Sequence, residues 1–114
     1  MLKNKTRNII LTKKVNFCSS AFSKFRGLMF SKEIKDKALV FVFDEEKKVS
    51  LHMFFVFYPI DVLFLDKNKK IVELKKNFKP FRTHVPNKKA KYVVELPNNT
   101  IEKTKTEVND EIVF

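Results

Sequence analysis

The sequence predicts a mainly-β fold: a compact antiparallel β-barrel or sandwich-like single domain over residues 1–114, trimmed by two short helices. Three observations carry this expectation. Apolar residues recur with period two along most of the chain, and turn-forming clusters such as Asp66-Lys67-Asn68-Lys69 separate the runs. Two segments, opening after Ser20 and after Asn99, break that period with helical spacing. At 114 residues the chain fits one domain. A chain of that size buries roughly two-thirds of its unfolded surface, enough to fold without staples.

The elements follow in order. Between Arg7 and Phe17, Ile9, Leu11, Val15 and Phe17 share one face of a predicted strand, with Lys13 as the exception. After Ser19-Ser20, residues suited to cap a helix, Ala21, Phe22, Phe25, Leu28 and Met29 fall three or four apart and predict a short amphipathic helix. Gly27, the chain's one glycine, either ends that helix at positive φ or admits a closely packed strand. Ala38 to Phe43 is apolar on both faces, as a central strand should be. Val49, Leu51, Met53, Phe55 and Phe57 alternate with Ser50, His52, Phe54 and Val56, a strand that starts half-wet and ends buried. Ile60–Leu65 and Lys70–Phe78 flank the turn at Asp66 and form a hairpin. Lys79–Lys89, with Pro80 and Pro86, is a long surface loop. Tyr92, Val94 and Leu96 mark another strand. Asn99 with Glu102 resembles a capping box opening a helix towards Val108. Glu111–Phe114 forms a short last strand.

Composition narrows the functional classes. A lone Cys18 forms no internal disulfide and points to an intracellular, cytoplasmic protein. Met1 to Arg7 looks like a charged leader start, but only Ile9, Ile10 and Leu11 follow before Lys13-Lys14, too few for a leader. The longest greasy run, Met53–Leu65, is interrupted by Pro59 and Asp61 and is too short to span a bilayer, so no membrane insertion is expected. The net charge of +11 is uneven: residues 1–14 carry +5, residues 67–91 carry +9 with Glu73 as their one acid, and residues 92–114 carry −3. Such patches favour an anionic partner. Yet 21 of the 24 basic residues are Lys, and nucleic-acid readers lean on Arg for bidentate contacts, so the excess also reads as compositional bias.

Three blocks stand in sequence: Phe25-Arg26-Gly27-Leu28-Met29, then His52-Met53 through Pro59-Ile60-Asp61-Val62-Leu63-Phe64-Leu65-Asp66, then Tyr92-Val93-Val94-Glu95-Leu96-Pro97. Together they resemble the domain-of-unknown-function 192 family, also called uncharacterised protein family 0127, over nearly the whole chain. By that resemblance Lys24 takes the place of the family's arginine and Ser23 its acidic place. His52-Met53-Phe54-Phe55 stands where the family has Trp-Met-Lys-Asn. Asn98 or Asn99, and Asn109, replace late glycines, and Asn tolerates left-handed backbone better than other non-glycine residues. The resemblance implies a compact β-rich domain without an assigned activity. Many members carry a leader or lipid anchor, and this chain looks like a leaderless form.

Asp61 is the most informative single residue, because an unpaired carboxylate among Ile60 and Val62-Leu63-Phe64-Leu65 would be costly to bury. It either binds backbone N–H groups after Pro59, pairs with Lys24 or Arg26, or lines a pocket. Ser50 and His52 share a strand face but lack the third group that would orient a nucleophile and base. Cys18, His52 and His84 are scattered without metal-ligand spacing, and one glycine makes no phosphate loop, so no metal or cofactor is expected.

The first functional reading is a small non-catalytic binding or interaction module, monomeric or dimeric, whose partner is a protein or a small ligand. Its candidate ligand-binding residues are Lys24, Arg26, His52, Asp61 and Glu95. The alternative is a nucleic-acid or polyanion binder using Lys75, Lys76, Lys79, Arg82, Lys88, Lys89 and Lys91, with Phe78 and Phe81 interleaved among cations. A third reading, an enzyme with a cleft around His52 and Asp61 that also draws in Glu95, requires those side chains to converge.

Overall fold

The computed structural model describes residues 1–18, 35–52 and 57–114, with the backbone alone at His52. The predicted first helix, with Lys24, Arg26 and Gly27, and the Met53–Val56 part of a predicted strand lie outside the described residues.

Along the chain the strands are β1 (Leu2–Asn4), β2 (Ile9–Thr12), β3 (Lys14–Cys18), β4 (Lys37–Lys47), β5 (Leu51–His52), β6 (Ile60–Leu65), β7 (Ile71–Phe78), β8 (Thr83–His84), β9 (Ala90–Pro97) and β10 (Ile112–Val113). One helix, α1 (Thr100–Thr104), lies between β9 and β10. The centre is a five-stranded sheet ordered β3-β4-β9-β6-β7. A three-stranded sheet, β10-β1-β2, and a two-stranded ribbon, β5-β8, hold the other strands of the described residues.

Period-two alternation explains the layering, because successive side chains of a strand leave by opposite faces. On β6, Ile60, Val62 and Phe64 enter one core together with Leu39, Phe41 and Val93. Leu63 and Leu65 enter a second core with Val40, Val94 and Leu96, which the three-stranded sheet and α1 close through Leu2, Leu11, Ile112 and Ile101. The first core receives Val49 and Leu51 at its margin. Strands β4, β6 and β9 send apolar residues from both faces because a core lies on each side of the central sheet. The result is a sandwich-like layering; the central sheet ends on β3 and β7 and does not close into a barrel. The radius of gyration, 12.6 Å, matches the ~13 Å of a single compact domain this long.

Where the sequence predicted one strand from Arg7 to Phe17, the structure has two. Lys13, the exception to the alternation, is the bend at which the chain leaves one sheet for another. One strand pair departs from the expected antiparallel arrangement: β3 pairs parallel with β4 from Lys14↔Lys37 to Cys18↔Phe41. The chain between those strands is long enough for the crossover a parallel pair needs. Phe57, expected to be buried, is exposed, while Tyr58 beside it is buried. The hairpin forms as expected. Its Asp66 carboxylate accepts the N–H groups of Asn68 at 2.8 Å and Lys70 at 3.0 Å, and Lys69 takes the left-handed conformation at φ 62°.

The two ends of the chain are fastened to each other. Buried Asn4 donates from Nδ2 to Thr106 Oγ1 at 3.1 Å and to Asp110 Oδ2 at 2.9 Å, and its Oδ1 accepts the Arg7 N–H. Arg7 Nε meets Asp110 Oδ2 at 2.6 Å, and the Glu107 N–H adds a further bond to that oxygen.

Candidate functional site

Strand register places Asn16, Leu39, Glu95, Val62 and Lys75 in one row across the central sheet. Leu39 and Val62 belong to the first core, so Glu95 is a carboxyl set between aliphatic neighbours on that face. It is 9% exposed, and among the described residues its Oε2 has no hydrogen-bond partner. Burial pushes the Glu95 carboxyl from 4.5 up to about 7. Cys18, opposite Phe41 on β3, packs at the edge of the same core. Burial raises its thiol, the Glu95 charge raises it further and Lys37 opposes both. A thiol so raised stays protonated at neutral pH and acts as a small apolar group.

Asp61 lies on the other face. It follows Ile60 of the first core and precedes Val62 of the same core, so alternation turns it towards the second core with Leu63. Its Oδ2 accepts the N–H of Ile101 at 2.9 Å in the first turn of α1, and its Oδ1 accepts the N–H of Asn77 at 3.0 Å. Asn77 stands at a bulge, where Ile60 pairs with Phe78 but Val62 pairs with Lys75. Both carboxylate oxygens are therefore engaged by backbone donors. The expectation that Asp61 binds backbone N–H groups holds, but the donors are on β7 and α1 rather than after Pro59. The expected capping box does not form: Asn99 makes no side-chain cap and takes φ 72°, and α1 ends at Thr104 instead of running towards Val108.

The enzyme reading needed His52, Asp61 and Glu95 to converge, and the sheet separates Asp61 from Glu95 by putting them on opposite faces. The His52 backbone pairs with Thr83 in the β5-β8 ribbon. Lys24 and Arg26 lie outside the described residues.

The basic segment divides into held and open cations. Lys76 Nζ pairs with Glu102 Oε2 at 3.1 Å, and Lys91 Nζ donates to the Asp44 carbonyl at 2.8 Å. Lys75 is half-buried on β7. Lys79, Arg82, Lys88 and Lys89 are exposed on the loop between β7 and β9. Glu73 organises that loop: its Oε1 accepts the N–H groups of Asn87 at 2.8 Å and Lys88 at 3.1 Å, and its Oε2 meets His84 Nε2 at 3.0 Å. His84 in turn sits against the rings of Phe64 and Phe78. The sequence carried one signal for this role, a single acid amid ten cations. At the loop's tip Phe81 meets Phe57 edge-on, ring centroids 5.5 Å apart.

The chain matches the DUF192 family model, described as Uncharacterized ACR, over residues 2–114. It belongs to that family. A UPF0127 protein of Thermococcus sibiricus is 40% identical over 114 residues, covering 98% of this chain and 73% of the relative. A UPF0127 protein of Pyrococcus horikoshii is 35% identical over 114 residues, covering 98% and 96%. A crystal structure of a Novosphingobium aromaticivorans protein of unknown function shares the fold with a TM-score of 0.82 at 14% identity, over 88% of this chain and 74% of that one. The DUF192 family has no assigned function, and nothing in the site or in these relatives shows catalysis. No described helix of this DUF192 member is long and apolar enough to cross a membrane.

Proposed function

We propose that the protein is a non-catalytic binding module and that Glu95 contacts its ligand, a small molecule bearing an ammonium, guanidinium or other hydrogen-bond donor. The observation that carries this is the unpartnered Glu95 Oε2 on a residue flanked across the sheet by Leu39 and Val62. A buried acceptor left unsatisfied costs about 1–3 kcal/mol, and a donor from a ligand would recover it. A perturbed carboxyl enclosed by apolar side chains is a candidate ligand-binding position. The engagement of both Asp61 oxygens on the opposite face supports binding over turnover, because it keeps Asp61 from serving as a second carboxyl beside Glu95. The free Cys18 supports a cytoplasmic setting.

Native mass spectrometry of the purified protein tests the reading, repeated on Glu95→Gln. The expected result is a small-molecule adduct on the wild type that weakens or disappears in the variant, since Gln carries no charge for a cation. A wild type without adduct whose melting temperature is unmoved by simple amines and guanidines would overturn it.

A further inference from the structure

The tip of the β7–β9 loop has a construction unrelated to Glu95. Phe81 holds a left-handed backbone conformation, φ 58°, which is costly for a bulky side chain. Yet it does not use that conformation to reach the core: it is 55% exposed, and its edge-on neighbour Phe57 is 64% exposed. A folded chain that strains its backbone to hold a ring in water gains nothing from burial there. Arg82 follows directly, Lys79 precedes by two, and Lys88 and Lys89 stand on the same loop, all exposed. The ion pairs of the described residues engage Lys5, Arg7, Lys76 and His84, and none of these four loop cations. Glu73 fastens the loop at His84, Asn87 and Lys88, the stretch that follows Phe81 and Arg82 in the chain.

We propose that this corner binds single-stranded nucleic acid, a base stacking on Phe81 while adjacent phosphates pair with Arg82 and the loop lysines. Aromatic rings beside cations suit that ligand because every base has a face to stack, and only unpaired bases offer it. A duplex would present phosphates to the lysines but no free base to Phe81. With Arg82 as the one Arg at the corner among the described residues, recognition is by charge and stacking and tolerates sequence.

The test is fluorescence anisotropy of a labelled oligothymidine of about 12 nucleotides, within the span of known single-strand sites, titrated across a salt series. Binding through three phosphates gives a slope of log K against log salt near −2, at ~0.7 per phosphate on a single strand. Phe81→Ala should weaken binding on the order of tenfold with the slope unchanged, and Phe81→Trp should restore it. Arg82→Ala should instead flatten the slope by about 0.7. Circular dichroism melts of each variant show that the fold is kept, which the exposure of both residues favours. No anisotropy change at low salt overturns the proposal. Binding that Phe81→Ala leaves intact, and that inorganic polyphosphate competes away as well as oligothymidine does, also overturns it, because charge alone would then explain the binding.

Discussion

Asp61 on β6 caps a helix from far along the chain, its Oδ2 accepting the N–H of Ile101, 40 residues later, at 2.9 Å. Helix N-termini leave backbone donors unsatisfied, and a nearby side-chain oxygen usually serves them. Here Asn99 stands at the N-cap without making that bond, and the cap comes from another strand. The same carboxylate holds the Asn77 N–H at the β7 bulge. One buried side chain therefore ties three elements together: β6, the β7 bulge and α1.

Removing Asp61 should accordingly cost more than removing Asn99. Asp61→Ala strands one buried donor, at Ile101, and one part-buried donor, at Asn77, and is expected to lose about 3 kcal/mol in urea unfolding; Asp61→Asn, which keeps an acceptor, should lose about half of that. Asn99→Gly is expected to be neutral or slightly stabilising, because glycine occupies φ 72° without strain. A loss at Asn99→Gly comparable to Asp61→Asn would show that Asn99 carries the cap after all.

Glu95 should make the protein less stable as pH rises. Its folded-state value, about 7, lies above the ordinary 4.5, so folding favours the protonated form. The stability it contributes is full below pH 4.5 and is lost as pH rises through about 7. The difference spans on the order of 3 kcal/mol at 1.36 kcal/mol per unit. Urea midpoints measured across that window should fall with pH in the wild type and lie nearly level in Glu95→Gln.

Asp110 works in the opposite direction. Burial pushes its carboxyl up, but bonds from Asn4, the Glu107 N–H and Arg7 outweigh burial and hold it below its ordinary 3.8. Its contribution is present above that value and is lost as pH falls through the lower folded value. Asp110→Ala is expected to cost about 3 kcal/mol at neutral pH, since it leaves Asn4 and the Arg7 guanidinium short of their acceptor. Acid unfolding of that variant should lack the wild-type loss below pH 3.8. Asp110 and Glu95, taken by themselves, place the best stability between the two ordinary carboxyl values.

These features differ in how far the sequence announces them. The β6–β7 hairpin and the β4 and β9 strands are local in cause: alternation, a turn cluster and both-face apolarity, all within a dozen residues. The β1 strand is not. Leu2 and Asn4 look like part of a charged tail until β10 and Asp110, more than a hundred residues away, bury them. The cap on α1 is hidden for the same reason, because Asn99 and Glu102 have the spacing of a capping box and the actual acceptor is on another strand. At the site, the sequence offers Glu95 as a candidate beside His52 and Asp61; only the register with Leu39 and Val62 shows that it is enclosed, on the face opposite Asp61. Lys76 and Lys91 likewise read as free charge until Glu102 and the Asp44 carbonyl meet them.

Glu73 offers the sharpest separation of local from global stability. Its carboxylate takes two backbone N–H groups and His84 from the loop that follows β7, and it is the one acid in a run of ten cations. Glu73→Ala removes all three bonds and is expected to cost about 2 kcal/mol, but the loss should fall mainly on the loop. The strands on either side keep their ladders, and His84 keeps its contacts with Phe64 and Phe78. Limited trypsin digestion under native conditions reads this directly, because Arg82, Lys88 and Lys89 are cleavage points within the loop. Cleavage there should accelerate in Glu73→Ala well beyond any change at Lys47 or Lys103, and Glu73→Gln, which retains an acceptor for the N–H groups, should fall between. An equal acceleration at every site would mean that the carboxylate supports the whole fold rather than the loop, since local opening exposes only the bonds inside it while global unfolding exposes them all.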